Sequence, residues 1–294
     1  THCISSAASD VYKRQDKWFE PLLKQFLVVS LNDYKVEPPI LKEAELLIYS
    51  NAMVMKCGQR SPENVTLILE NVFLPTLDMI KNDMDNYPDH RLYFYQLLRM
   101  INYKNFEVII GIPQDNFFAT FFNTICWAFK HHNREIEETG LQIAIDMLTN
   151  IDNLKDNNTN FQIKFYQTYY LLLVNEIFFA LTDSDHEPAF AKQALLLRSL
   201  MKLVYDDRIP TTLINTGSNV PDNYSNTVTL NEYIIKLLSG AFPNLTVNQI
   251  EGFINALMKN YNNASSFTST VKDFLIQSKE IGADPTDYLY DEEA

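Results

Sequence analysis

One unit recurs along this chain: a helix with an apolar stripe, a tight turn, then a second amphipathic helix. Starts near Ser61, Gln114 and Asn160 lie about fifty residues apart or slightly fewer, close to the period of HEAT-type repeats. A single hairpin of this kind carries more apolar surface than it can bury, so neighbours must stack. The spacing predicts an all-α solenoid of HEAT-type helical hairpin repeats, a superhelix with one face open to partners.

The clearest hairpin is WAFKHHNREIEETGLQI, Trp127 to Ile143. Upstream of it Phe118, Phe121, Phe122, Ile125 and Phe129 fall three or four apart, which puts one continuous stripe on one helix face. Downstream, Ile136, Gly140, Ile143 and Met147 take one side and Glu135, Glu138, Gln142 and Asp146 the other. Lys130, His131 and His132 stand where the carbonyls of the first helix favour positive charge. Asn133, Glu135, Glu137 and Glu138 stand where the free amides of the second favour a capping oxygen and negative charge.

The same reading sets the remaining boundaries. Helices are expected at Asp16 to Asp33 and Ile40 to Cys57, the latter stopped by Gly58 in a left-handed conformation. Ser61 and Pro62 open the next, which Pro75 should kink, and Asp89 to Lys104 pairs with it. The WAFKHH pair covers about 114–151, followed by one long helix Phe161 to Leu181 and its partner Glu187 to Tyr205. Pro210, Gly217 and Pro221 among Thr, Asn and Ser predict a long surface loop, and helices resume at Leu230 to Phe242, Val247 to Asn260 and Phe267 to Ile281. Domain organisation is therefore 1–15 as a non-native or disordered extension, 16–206 as about four helix pairs, 207–228 as the loop, and 229–294 as further repeats. The final Asp291 to Ala294 has the character of the first turn of another helix.

Composition excludes several functions. Seven glycines against nineteen phenylalanines and sixteen tyrosines favour helices over a Gly-rich phosphate loop. A net charge of -13 disfavours direct nucleic-acid binding and anionic lipid, and points to basic protein partners. No apolar run reaches membrane-spanning length, so no membrane insertion is expected and a soluble intracellular protein is the default. Cys3, Cys57 and Cys126 are scattered and odd in number, giving neither a disulfide framework nor a zinc set, and Cys126 is expected to be buried and inert. No catalytic constellation, metal site or cofactor site can be named: adjacent His131 and His132 point about 100° apart on a helix, and His90 sits in a turn. A hydrolase reading has no nucleophile, base and orienting group to rest on.

YPDHRLYFYQLL, WAFKHHNREIEETGLQI, KFYQTYYLLL, EYIIKLLSGAFPNLT and KDFLIQSKE, in this order and spacing, resemble the C-terminal region of the exportin-1 family, nuclear export receptors of the importin-β superfamily. The resemblance covers Asp16 to about Glu293. It implies a non-enzymatic transport receptor that shuttles between nucleus and cytoplasm through nuclear pore proteins, binding export-signal cargo proteins cooperatively with GTP-bound Ran. The groove for leucine-rich export signals in this family lies upstream of the matched region. Family members hold Ran partly with C-terminal repeats, and inter-helix turns reach inward, so Lys130, His131 and Arg134 are the expected Ran contact, against helix-end compensation alone. The alternative identity within the same fold is an import karyopherin or another helical-repeat scaffold.

Overall fold

The computed structural model describes residues 24–113, 116–154, 158–183, 188–214 and 225–282. The expected extension 1–15, the helix start at Asp16, Gln114, Asn157, Glu187, residues 215–224 of the loop and the terminal Asp291 to Ala294 lie outside these residues. The described residues form helices and connecting turns with no strand, the all-α helical-repeat class expected from the spacing. By internal packing the chain divides into two compact units, Thr1–Thr124 and Ile125–Ala294.

In the first unit α1 (24–36) is followed by a 3-10 turn at Pro39–Leu41, then α2 (Glu45–Cys57), α3 (Pro62–Ile80), α4 (Pro88–Lys104) and the short α5 (Phe106–Gly111). α2 begins five residues later than expected, because Pro38 is extended and the two prolines allow only one tight turn before it. α4 packs against both α2 and α3. Phe73 of α3 is fully buried, with ring centroids 5.7 Å from Phe94, 4.9 Å from Phe117 and 6.4 Å from Phe121. That cluster uses the aromatic stripe recognised in the sequence. Pro75 leaves α3 a single continuous helix, although its ring removes one helical amide.

Gly58 departs from the expectation: its φ is -53°, right-handed. Glycine is needed there for space instead. A Cβ would stand 2.5 Å from Asn105 Oδ1 and 2.6 Å from the Val54 carbonyl, and Asn105 Nδ2 donates to the Gly58 carbonyl at 2.8 Å. The α3–α4 turn is held from inside by Arg91, 1% exposed, which donates to the carbonyls of Ile80 (3.0 Å), Asp83 (2.5 Å) and Asn86 (2.8 Å). His90 falls in the first turn of α4 rather than in the turn before it, and its Nε2 lies 2.9 Å from the Lys42 carbonyl.

α6 (Phe117–Ala128) contains the division between the units. The second unit continues with α7 (Arg134–Asp152), α8 (Thr159–Thr168), α9 (Tyr170–Thr182), α10 (Phe190–Tyr205), α11 (Asn226–Ala241), α12 (Val247–Asn260) and α13 (Ala264–Gly282). α10 is central, packing against α7, α9, α11 and α13. The expected single helix 161–181 is two, meeting at Tyr169. There Phe165, Tyr166 and Tyr170 are all buried and Tyr170 OH reaches the Leu200 carbonyl at 2.7 Å, so four bulky rings in six positions are accommodated by a turn. α11 starts at Asn226, four residues before the expected Leu230, because the Asn226 side chain ties back to Leu213 N (3.0 Å) and the Thr211 carbonyl (2.8 Å). The described start of the loop is accordingly not all surface: Ile209 and Leu213 are buried. α12 has the expected bounds and a full capping box from Thr246 and Gln249.

Candidate protein-binding turn

Residues 129–133 connect α6 to α7, and the turn is built by its own polar groups. The amides of Phe129, Lys130 and His131 donate to the carbonyls of Ile125, Trp127 and Ala128 at 3.2, 3.2 and 3.1 Å, tightening the end of α6. Asn133 caps α7 as its type predicts, its side-chain oxygen accepting from Glu135 N (3.0 Å) and Ile136 N (3.3 Å). Gly140 lets the two helices touch, since a Cβ there would lie 2.7 Å from both Ala128 Cβ and Phe129 N.

The three residues read as one basic cluster have three different surroundings. His131 is 1% exposed, packed edge-on to Trp127 at 5.1 Å, and its Nδ1 accepts the Asn133 amide at 2.8 Å. An accepting nitrogen carries no proton, so the His131 ring is a buried brace of the turn. At 1% exposure the ring itself offers little surface to a partner. Lys130 is part-buried, ion-paired to Glu176 of α9 at 2.5 Å, with its ammonium 5.4 Å from the Phe179 ring centroid. Arg134 is the outward one, its side chain 68% exposed and its Nε donating to Glu138 at 2.7 Å, one helical turn on.

Glu138 also accepts from Lys192 of α10 at 2.8 Å, and these two hydrogen bonds, from Lys192 and Arg134, hold its carboxyl below the ordinary range. Glu137 is the opposite case: it is buried, which pushes its carboxyl up to about 7 despite the hydrogen bond from Gln193 at 3.0 Å. The turn is therefore an interleaved set of bases and acids rather than a basic patch. Cys126 beneath it is buried, and burial raises its thiol far above the usual range, removing the thiolate that reactivity needs.

Sequence reasoning missed Glu176, Lys192 and Gln193, whose partners are 46, 54 and 56 residues away. A signal was present. These separations, like the 47 of Asn105 with Gly58 and the 48 of His90 with Lys42, lie close to one repeat period. Residues at equivalent places in successive hairpins are thus neighbours in space.

Among the described residues no group of three or more His, Cys, Asp and Glu is placed to hold a metal ion, and no helix is long and apolar enough to cross a membrane. What the turn can do is present charged side chains to another protein.

Comparison with known proteins gives the family. Residues 7–283 match the family model described as CRM1 C terminal. Exportin-1 of Schizosaccharomyces pombe is 37% identical over 263 residues, 90% of this chain and 24% of that protein. Protein EXPORTIN 1B of Arabidopsis thaliana is 38% identical over 265 residues, again 90% and 24%. Exportin-1 of Drosophila melanogaster is 33% identical over 292 residues, 98% of this chain and 26% of that protein. The chain thus spans about a quarter of the length of these curated relatives. With nearly the whole chain matched by one family model and by relatives at this identity, the chain belongs to the exportin-1 family and corresponds to its C-terminal region.

Proposed function

We propose that this chain is the C-terminal repeat segment of a nuclear export receptor, which carries leucine-rich export-signal cargo through nuclear pores together with GTP-bound Ran, shuttling between nucleus and cytoplasm. The observation that carries the reading is the family match over residues 7–283. Stacked helical hairpins with charged turns suit it, because they offer protein-binding surface. No enzymatic step is assigned to the segment. Its organisation on this reading is a repeat block 16–206, a connection 207–225 in which Ile209 and Leu213 are buried, and a further repeat block from α11 onward.

Within the segment, Arg134 and, behind it, Lys130 are the proposed contact to an acidic surface of Ran, with His131 fixing the turn that presents them. Arg134 reaches outward and is held only by an exposed one-turn ion pair, a geometry that costs little to exchange for an intermolecular partner. Arg134→Glu in the complete receptor should weaken cooperative Ran and cargo binding by on the order of 1 kcal/mol or more, in pull-down titrations with GTP-loaded Ran and an export peptide. Unchanged binding by a variant with unaltered thermal unfolding would remove the turn from the Ran interface. Loss of nuclear export of a reporter cargo in cells whose receptor lacks residues 16–294, restored by the intact receptor, tests the wider reading.

A further inference from the structure

We propose that the notch between the C-terminal ends of α7 and α10 receives one arginine side chain of a partner protein. The junction lies inside the described stack: α7 packs on α10, which in turn packs on α13, so neither end of the chain forms the opening. The two helices run parallel. Glu138 meets Lys192 and Glu137 meets Gln193 at their N-terminal ends, and Asp152 meets Arg208 at 2.5 Å at the other. Their C-termini therefore lie side by side, and each brings the negative pole of its backbone dipole to the same opening. The notch has a volume of about 180 Å³, room for one side chain but not for a helix. Leu148 and Leu203 give it apolar surface, which suits the methylene stem of a long basic residue.

The polar lining selects the head group. Thr149 and Ser199 donate their hydroxyl protons to the carbonyls of Ile145 (3.1 Å) and Leu195 (2.9 Å), one turn back on their own helices, so their lone pairs are what remains for a guest. Asp152 and Asp206 add two carboxylates. Two cations of the chain share the lining. Arg208 is held by Asp152, and Lys202 divides its ammonium between Asp206 at 3.5 Å and the Asn262 side-chain oxygen at 3.4 Å. Asp206 is thus loosely held, and it is the carboxylate that an incoming cation can take. A guanidinium brings five donors in one plane to acceptors supplied by both helices. An anion would meet two carboxylates, two accepting hydroxyls and two negative helix ends. The notch is at the opposite end of α7 from Arg134, and the proposal holds whether or not that turn binds Ran.

The test uses the full chain with methyl-labelled leucines and acetyl-arginine amide as the probe, followed by nuclear magnetic resonance. Acetyl-citrulline amide, of the same shape without the charge, is the control. The arginine probe should shift the Leu148 and Leu203 methyl signals saturably in the millimolar range, and the citrulline probe should not. Lys202→Met, which frees Asp206, should tighten the arginine probe about threefold, and Asp206→Asn should weaken it by about as much. Thermal unfolding of each variant separates loss of the site from loss of the fold, and a gain in affinity cannot come from misfolding. Equal shifts by both probes, no saturable shift by arginine, or affinity unchanged in both variants would overturn the proposal. Saturation by acetyl-glutamate amide in place of arginine would also overturn it, by making Lys202 and Arg208 the recognising groups.

Discussion

Replacing Gly140 with alanine places a methyl group where two helices already touch. The new Cβ would lie 2.7 Å from Ala128 Cβ, 2.7 Å from Phe129 N and 2.9 Å from Ala128 C. Favourable carbon contacts begin near 3.5 Å, so the overlap is roughly 1 Å. None of the three atoms is the movable end of a side chain, and α6 and α7 must separate. Overpacking of this kind costs about 1–3 kcal/mol, whereas alanine in place of a helical glycine contributes about 1 kcal/mol. With backbone atoms in the way the upper figure applies, leaving a net loss of about 2 kcal/mol. Gly252 in α12 provides the control, because nothing lies within 4 Å of its Cβ position. There only the helical gain remains, so Gly252→Ala should stabilise by up to about 1 kcal/mol. Urea titrations followed by far-ultraviolet circular dichroism would read both midpoints. Equal stabilisation by the two substitutions, or a loss at Gly252, would refute the claim that close helix approach is what requires glycine at 140.

Further outcomes follow from the same contacts. Arg91→Ala should cost about 2–4 kcal/mol in the same titration, since three turn carbonyls lose a buried charged donor; a loss under about 0.5 kcal/mol would show that water replaces it freely. Glu137 has a folded value raised to about 7 from an ordinary 4.5, so the folded state holds the extra proton between those values and stability contributed by this group falls as pH rises from about 4.5 to 7. Glu137→Gln keeps the acceptor for Gln193 and should flatten that slope; parallel pH profiles of the two proteins would contradict it. Limited proteolysis should cut first within 207–228, where the sequence is rich in Pro, Gly, Asn, Ser and Thr, and a first cut inside α9 would mean that the repeat boundaries are misdrawn.

Much of the fold was legible because helical spacing and end signals are local. Of the expected stripe Phe121, Phe122, Ile125 and Phe129 are buried as its period requires and Phe118 is half-buried, Asn133 caps α7, and Val247 to Asn260 has the bounds its flanking residues set. The departures have non-local causes. Glycine after a helix usually signals a left-handed stop, but at Gly58 the approach of Asn105 from 47 residues away decides the position. The break at Tyr169 arises from rings packing toward α10, which no window on α8 and α9 alone contains. Asn226 starts α11 early through bonds to a segment thirteen and fifteen residues back.

The turn shows why the site was harder to read than the fold. Sequence places Lys130, His131 and Arg134 together and gives each a positive character, and in isolation the first helix end would favour it. In a stacked repeat, however, the next hairpin brings a second set of side chains to the same level one period later. Glu176 arrives 46 residues on and takes Lys130; Lys192 arrives 54 residues from Glu138 and takes the second oxygen of the carboxylate that Arg134 holds by the first. Charge at any one turn is therefore a property of two consecutive repeats, and a cluster counted within one overstates its basic character. The residue left with outward reach is the one whose partner is on its own helix. That is Arg134, the side chain whose reversal should be felt by a partner rather than by the fold.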